Sequence, residues 1–156
     1  MAGTALSRTR IAVAGVLMIV VGACSLGCSP GIKWRGATYD SVHADSVRNH
    51  KLTLVYFRSW AKVECTDFEE NVLKAPEVRE ALSPDGHFYC VPLDSHWDRS
   101  LAEQFGVDEP PTVVIVDDDG RVLSRLTGKI TVKALLDALH EASSRHDALL
   151  KRVDKQ

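Results

Sequence analysis

Two β-rich segments joined by a tight turn predict a β-hairpin near the C-terminal end of the chain. Residues 112–116 are almost entirely apolar, and residues 121–126 alternate between polar and apolar side chains. The Asp-Asp-Asp-Gly turn between them ends in Gly120, which can adopt positive φ. A cation site on the three aspartates is disfavoured, because three consecutive side chains cannot all point at one ion.

The segments before the hairpin alternate between helical and β-type patterns. Pro76 divides the second helical region, and Thr131 supplies an N-cap for the last helix. This order predicts an α/β fold with a central mixed sheet of four to five strands and helices on both faces. The predicted helices are residues 39–49, 65–73, 77–82, 100–105 and 131–150, and the predicted strands are residues 52–57, 88–93, 112–116 and 121–126.

The N-terminal residues have the pattern of a secretory signal. Arg8 and Arg10 precede an apolar run over residues 11–21, which small residues follow. This run is shorter than the roughly 17–25 residues that a membrane-spanning helix needs. We therefore predict a signal peptide over residues 1–23, a flexible Ser/Gly/Pro-containing tether over residues 24–37 and a single folded domain over residues 38–150.

The tetrapeptide Val-Gly-Ala-Cys that ends at Cys24 resembles the lipobox of bacterial lipoproteins. The resemblance implies that Cys24 is lipidated, with Cys28 as the alternative, and the serine that follows either cysteine favours the outer membrane. Acyl chains contribute about 0.8 kcal/mol per buried CH₂, so more than one chain tethers a domain durably. The expected location is the bacterial cell envelope, with the domain in the periplasm; secretion without a lipid is the alternative.

Four local signals occur in the order that they have in thioredoxins. Phe57 lies five residues before Lys62, as a family aromatic residue precedes the first active-site cysteine. Gly106-Val107, followed by Pro111-Thr112, resembles the element that carries the family's cis-proline. Residues 39–142 are thus similar to the thioredoxin-like superfamily, which implies the thioredoxin fold. The other two signals are residues 67–78, which resemble the subfamily containing the C-terminal domain of the bacterial membrane thiol:disulfide interchange protein, and residues 126–128.

The resemblance places a degenerate Lys-x-x-Cys motif where thioredoxins carry Cys-x-x-Cys. A dithiol oxidoreductase attacks with an exposed thiolate at a helix N-terminus and resolves the mixed disulfide with a second cysteine. Lys62 occupies the attacking position, and Cys65 occupies the second one. An ammonium group cannot attack sulfur reversibly. If one residue is inserted and Trp60 is the family tryptophan, the attacking position falls on Ala61, and the conclusion is the same.

Cys65 could act alone only as an accessible thiolate. Lys62 favours the thiolate, whereas four nearby acidic residues disfavour it. Cys65 also shares an apolar helical stripe with Phe68 and Val72. We therefore predict a buried, protonated core thiol, and a reactive single cysteine is the alternative. The acidic residues are Glu64, Asp67, Glu69 and Glu70.

Two further positions depart from the family pattern. Many thioredoxins carry a buried acid six residues before the first cysteine, where this chain has Tyr56, which is too weak an acid to replace it near neutral pH. The residue before the family's cis-proline pairs its backbone with substrate, but Pro110 has no N–H. Trp60, Pro110, Pro111 and Thr112 are therefore interpreted as a binding surface.

The remaining cysteine and the histidines indicate no second site. Cys90 is interpreted as a small buried residue of a strand, and a Cys65–Cys90 disulfide is a less favoured alternative. The six histidines lack the spacing of a zinc site, so neither a metal nor a cofactor is expected. Residues 96–99 follow a strand end, where α/β ligand sites often lie, but they are interpreted as a helix-entry loop with a packed tryptophan.

A net charge of −2, with 26% charged and 45% hydrophobic residues, is typical of a soluble globular domain and gives no indication of nucleic-acid binding. We predict a membrane-anchored, extracytoplasmic thioredoxin-like domain without dithiol–disulfide exchange. It would serve as a binding, assembly or chaperone-like module that contacts an envelope protein at the Trp60/Pro111 surface, and not as an enzyme. The alternative is a thiol-disulfide oxidoreductase or isomerase that acts through Cys65.

Overall fold

A computed structural model describes residues 31–153. The predicted signal peptide, Cys24 and Cys28 lie outside the described residues. The elements follow the predicted order, and the bounds differ from the predicted ones by a few residues at most. They are α1 (Tyr39–Arg48), β1 (Leu52–Arg58), α2 (Val63–Phe68), a π-helical segment (Glu69–Leu73), α3 (Pro76–Ala81), β2 (Phe88–Asp94), α4 (Arg99–Gln104), β3 (Thr112–Val116), β4 (Val122–Thr127) and α5 (Val132–Val153).

The four strands of the described region form one mixed sheet in the order β2-β1-β3-β4. Strand β1 pairs in parallel with β2 and antiparallel with β3, and β3 pairs antiparallel with β4. Strand β1 lies inside the sheet with helices over both faces, so its residues from Leu52 to Phe57 are all buried. The continuous apolar run seen in the sequence is the composition that such a strand needs.

Alternate side chains of the central strands enter two separate cores, as the period of a strand requires. On one face, Leu54 and Ile115 pack in a cluster that includes Leu135 of α5. On the other face, Val55 packs in a cluster that includes Val42 of α1. The predicted thioredoxin-type architecture, with helices on both faces of the sheet, is therefore confirmed. All the core residues named here lie within residues 31–153.

The helix predicted over residues 65–73 is divided into α2 and the π-helical segment. A π turn closes between residues i and i+5. Val72 and Leu73 follow Phe68 by four and five residues, and all three side chains are buried in the same core. The wider turn directs both of these consecutive residues inward.

The hairpin turn has the predicted conformation, with Gly120 at a φ of 77°. The Asp117 carboxylate accepts the backbone N–H groups of Asp119 and Arg121 at 3.0 and 2.9 Å. The first aspartate therefore stabilises the turn, in the manner of an Asx-type side chain.

Part of the segment predicted as a tether is packed against the domain. Trp34 forms a parallel bridge with Cys90 of β2, and the Arg35 N–H donates to the Cys90 carbonyl at 2.8 Å. The Arg35 guanidinium lies 3.5 Å from the Tyr89 ring centroid and forms an ion pair with Asp45 at 3.2 Å. The packed part of the domain therefore begins before residue 38.

Candidate functional site at the β1–α2 corner

The candidate site lies where β1 ends and α2 begins. Thr112, the first residue of β3, pairs with Phe57 near the end of β1. The chain segment that leads into β3 therefore reaches the same end of the sheet as the corner. Within that segment the peptide bond between Pro110 and Pro111 is cis, which is the conformation that the thioredoxin resemblance implies there.

Lys62 is the N-cap residue of α2, and Ala61 lies in the turn before it. The Lys62 side chain extends to the proline segment, where its Nζ lies 2.5 Å from Glu109 Oε1. The hydrogen bond and charge of Glu109 raise the pKa of Lys62, and the same contact lowers the pKa of Glu109. A charged ammonium group therefore stands at the N-cap of α2, and it is ion-paired to the segment of the cis-proline.

Cys65 is buried, with only 1% of its surface exposed. Its Sγ lies 3.4 Å from the backbone N of Ser59, which donates to it. The predicted burial of this thiol is confirmed. An external disulfide cannot approach the sulfur unless the corner opens, because attack requires an accessible thiolate.

Cys90 is also buried, and burial raises the pKa of its thiol to about 12. Both Cys90 and Cys65 are free thiols in the structure, so the less favoured Cys65–Cys90 disulfide does not form there. The interpretation of Cys90 as a small core residue of a strand agrees with its position in β2.

Tyr56 occupies the position of the family's buried acid and is itself buried. Its hydroxyl donates to Glu69 Oε1 at 3.1 Å and lies 3.5 Å from the Cys65 carbonyl oxygen. Burial, followed by the charges of Cys65 and Glu69, raises the pKa of Tyr56 far above its ordinary value. Arg58 forms an ion pair with the same Glu69 oxygen at 3.2 Å. The Tyr56 hydroxyl is therefore a hydrogen-bond donor held in place by Glu69, and it cannot accept a proton from a thiol.

The backbone of the cis-proline segment has little hydrogen-bonding capacity left. Pro110 and Pro111 have no N–H. The Thr112 hydroxyl donates to the Glu109 carbonyl at 2.6 Å, and the Gly128 N–H donates to the Pro111 carbonyl at 3.0 Å. Among the described residues, neither the Glu109 N–H nor the Pro110 carbonyl of this segment has a hydrogen-bond partner. A peptide strand would therefore find one acceptor here and no donor from either proline.

Apolar side chains are strongly exposed at this end of the sheet. Trp60 is 79% exposed and Val63 is 66% exposed, while the Arg58 guanidinium lies 3.8 Å from the Trp60 ring centroid. Trp97 is 81% exposed, so the prediction of a packed tryptophan is wrong. The loop of Trp97 is held beside the corner by a 2.9 Å hydrogen bond from the Ser95 N–H to the Arg58 carbonyl.

The sequence did not identify Glu109, Arg58 or Glu69 as partners within the site. Glu109 stands immediately before the two prolines, which is a local signal that could have indicated it. Its contact with Lys62 spans 47 residues, however, and only the folded chain brings the two together.

Within residues 31–153, no three or more His, Cys, Asp or Glu side chains are close enough to hold a metal ion. In the same part of the chain, no helix is both long and apolar enough to cross a bilayer.

The sheet order, the flanking helices and the cis-proline define a thioredoxin fold. Residues 40–143 match the family described as "Thioredoxin-like domain", and the chain belongs to this family. No curated protein sequence matches the chain.

Solved structures agree on the fold. A thioredoxin from Thermus thermophilus is 22% identical, with a TM-score of 0.66 over 76% of this chain and 92% of its own. A DsbH oxidoreductase is 18% identical, with a TM-score of 0.57 over 89% of this chain and 95% of its own. The reduced C-terminal domain of DsbD from Neisseria meningitidis is 19% identical, with a TM-score of 0.55 over 65% of this chain and 91% of its own. These likenesses establish the architecture and not the activity.

Proposed function

We propose that this protein is a lipid-anchored, extracytoplasmic thioredoxin-like domain that binds a partner in the cell envelope and does not perform dithiol–disulfide exchange. One observation carries the proposal: Lys62 stands at the start of α2, ion-paired to Glu109, in place of an attacking thiol. The only cysteine of the motif, Cys65, is 1% exposed.

Exchange by Cys65 alone would need three conditions that the corner does not offer. The thiol must be reachable, but it is enclosed beside Ser59. A base must take up its proton, but Tyr56 is a donor already bonded to Glu69. A substrate strand must pair with the proline segment, where neither Pro110 nor Pro111 has an N–H to donate.

The same corner is better suited to recognition by side chains. Trp60 and Val63 present apolar surface to solvent next to a charged pair, Lys62 and Glu109. Exposed aromatic residues held in place by a neighbour are frequent anchors of protein interfaces, and Trp60 is held against Arg58. The proposed partner is therefore an envelope protein that covers the Trp60/Pro111 surface. The anchor part of the proposal is supported by the Cys24 lipobox pattern.

Site-directed photo-crosslinking in intact cells tests the binding role. We expect a photoreactive amino acid at Val63 to give one dominant protein adduct. Val122 is a matched control, since it is an exposed valine on β4, and it should give none. Trp60→Ala should abolish the Val63 adduct. Equal labelling from both positions, or an adduct that survives Trp60→Ala, would contradict a specific surface at the corner.

A further inference from the structure

A cavity of about 420 Å³ opens beside the corner, on the side of Tyr56 and Arg58. It lies between the N-terminal segment at Ile32 and Trp34, the ends of β1 and β2, and the π-helical segment with α3. Small-molecule sites in proteins typically have volumes of about 300–1,000 Å³. The cavity is therefore large enough for one short alkyl chain or one aromatic ring system.

Part of the lining of this cavity is apolar. Ile32, Trp34, Leu73 and Pro92 line it, and the first two come from the segment that runs beside β2. Ile32 and Trp34 are only partly buried, although they pack against the core. The domain thus leaves apolar surface inside a concavity, which a ligand of matching chemistry would remove from water.

The charged lining of the cavity contains one more cation than carboxylate. The cations are Arg58, Lys74 and Arg79, and the carboxylates are Glu69 and Glu70. Lys74 and Glu70 form an exposed ion pair with Nζ and Oε2 2.5 Å apart. Guanidinium and ammonium groups bind carboxylates through charge-assisted hydrogen bonds, so a ligand with a carboxylate fits this lining.

Arg58 retains hydrogen-bonding capacity at the inner end. A guanidinium carries five N–H donors, but the polar contact of Arg58 is with a single carboxylate oxygen of Glu69. Its Nε is buried and has no hydrogen-bond partner among the described residues. An acceptor atom of a ligand in the cavity would satisfy this buried donor.

We propose that this cavity binds a single-chain amphiphilic anion, with the apolar chain against Ile32, Trp34 and Leu73 and the carboxylate towards Arg58 and Lys74. The proposal does not depend on the absence of thiol exchange or on the partner surface at Trp60. Ligand and partner would occupy separate sites joined through Arg58, which lines the cavity and supports the Trp60 ring.

Calorimetric titration with decanoate below its micelle-forming concentration tests the proposal. A chain that begins at residue 29 is suitable, because both cores and the cavity lie within residues 31–153. Decylammonium has the same alkyl chain and the opposite charge. We expect saturable one-to-one binding of decanoate, with decylammonium weaker by roughly tenfold or more, which corresponds to about 1.4 kcal/mol.

Two charge-reversal variants separate the cavity from general electrostatics. Lys74→Glu and Lys133→Glu each replace the lysine of an exposed i,i+4 ion pair, and Lys133 pairs with Asp137 on α5. Lys74→Glu should weaken decanoate binding by about tenfold, whereas Lys133→Glu should leave it unchanged. Absence of saturable binding, equal affinity for the two amphiphiles, or equal effects of the two variants would overturn the proposal.

Discussion

At the scale of single residues, the central contact of the corner is the ion pair between Lys62 and Glu109. In the proposed alignment, Lys62 also stands at the position from which a thiol would attack a disulfide. The resemblance to thioredoxins implies that the start of α2 and the cis-proline segment both face the substrate. Here a pair of opposite charges joins them, which makes the corner a closed polar surface beside exposed Trp60.

Restoring the missing cysteine tests the position of Lys62 in the motif. We expect Lys62→Cys to form a 62–65 disulfide under oxidising conditions, because the two residues have C-x-x-C spacing at the start of α2. Mass spectrometry after alkylation of the remaining thiols would detect it as loss of the two free thiols. The matched variant Ala61→Cys should not form the bond. A disulfide in Ala61→Cys alone would mean that the alignment is one residue off.

The residue-scale predictions from sequence succeeded where a local pattern was sufficient. Cys65 shares its helical stripe with Phe68 and Val72, and all three side chains are buried. Trp97 shows the limit of this reasoning. We predicted that this aromatic residue after a strand is packed, but no local pattern shows whether a neighbouring element covers the ring, and no element among residues 31–153 does.

At the scale of elements, helix caps and turns determine where the helices and strands near the corner begin and end. Thr131 accepts the Ala134 N–H through Oγ1 at 3.2 Å, and so begins α5, whose Leu135 is fully buried. Helix α5 covers the same face of the sheet as the π-helical segment that carries Leu73. The Thr131 cap therefore stabilises a helix that packs in the same core as the π-helical segment next to the corner.

Removal of this cap should have a measurable cost. We expect Thr131→Ala to lower the free energy of unfolding by about 1 kcal/mol, since loss of an N-cap side chain typically costs about that much. Thr131→Ser keeps the oxygen and should restore most of the loss. Urea titration followed by circular dichroism measures both variants. Equal stability of Thr131→Ala and the parent would show that the cap contributes nothing.

Most elements could be predicted from sequence because their signals are local. Strand β1 is a continuous apolar run, the hairpin contains Gly120, and Pro76 begins a new helix. The π-helical segment could not be predicted, because the spacing of Phe68, Val72 and Leu73 also fits an ordinary helix. The pairing of Trp34 with β2 was missed for a different reason: one isolated bridge leaves no periodic pattern.

At the scale of the whole molecule, two cores on either side of one sheet hold the corner at one end and leave a cavity beside it. Strands β1 and β3 are buried and lead into the corner, so they support the arrangement of Lys62, Glu109 and Trp60. Such a scaffold suits a module that presents fixed side chains to a partner. The proposed lipid anchor would confine this module to the membrane surface.

The anchor is tested by fractionation. We expect Cys24→Ala to move the protein from the membrane fraction to the soluble extracytoplasmic fraction, because the acyl chains that would hold it can no longer be attached. Cys28→Ala should leave the protein in the membrane fraction and serves as the matched control. The reverse result would assign the lipid to Cys28, and retention of both variants would contradict a lipid anchor.

Dithiol-driven reduction of a protein disulfide most directly tests the proposal that the corner does not exchange thiols. The purified domain should give a rate equal to that of dithiol alone, and Cys65→Ser should not change it, since Cys65 is buried and the proposed alignment puts Lys62 in the attacking position. A thioredoxin serves as the positive control. Turnover by the parent domain at a rate near that of thioredoxin, abolished by Cys65→Ser, would contradict the account.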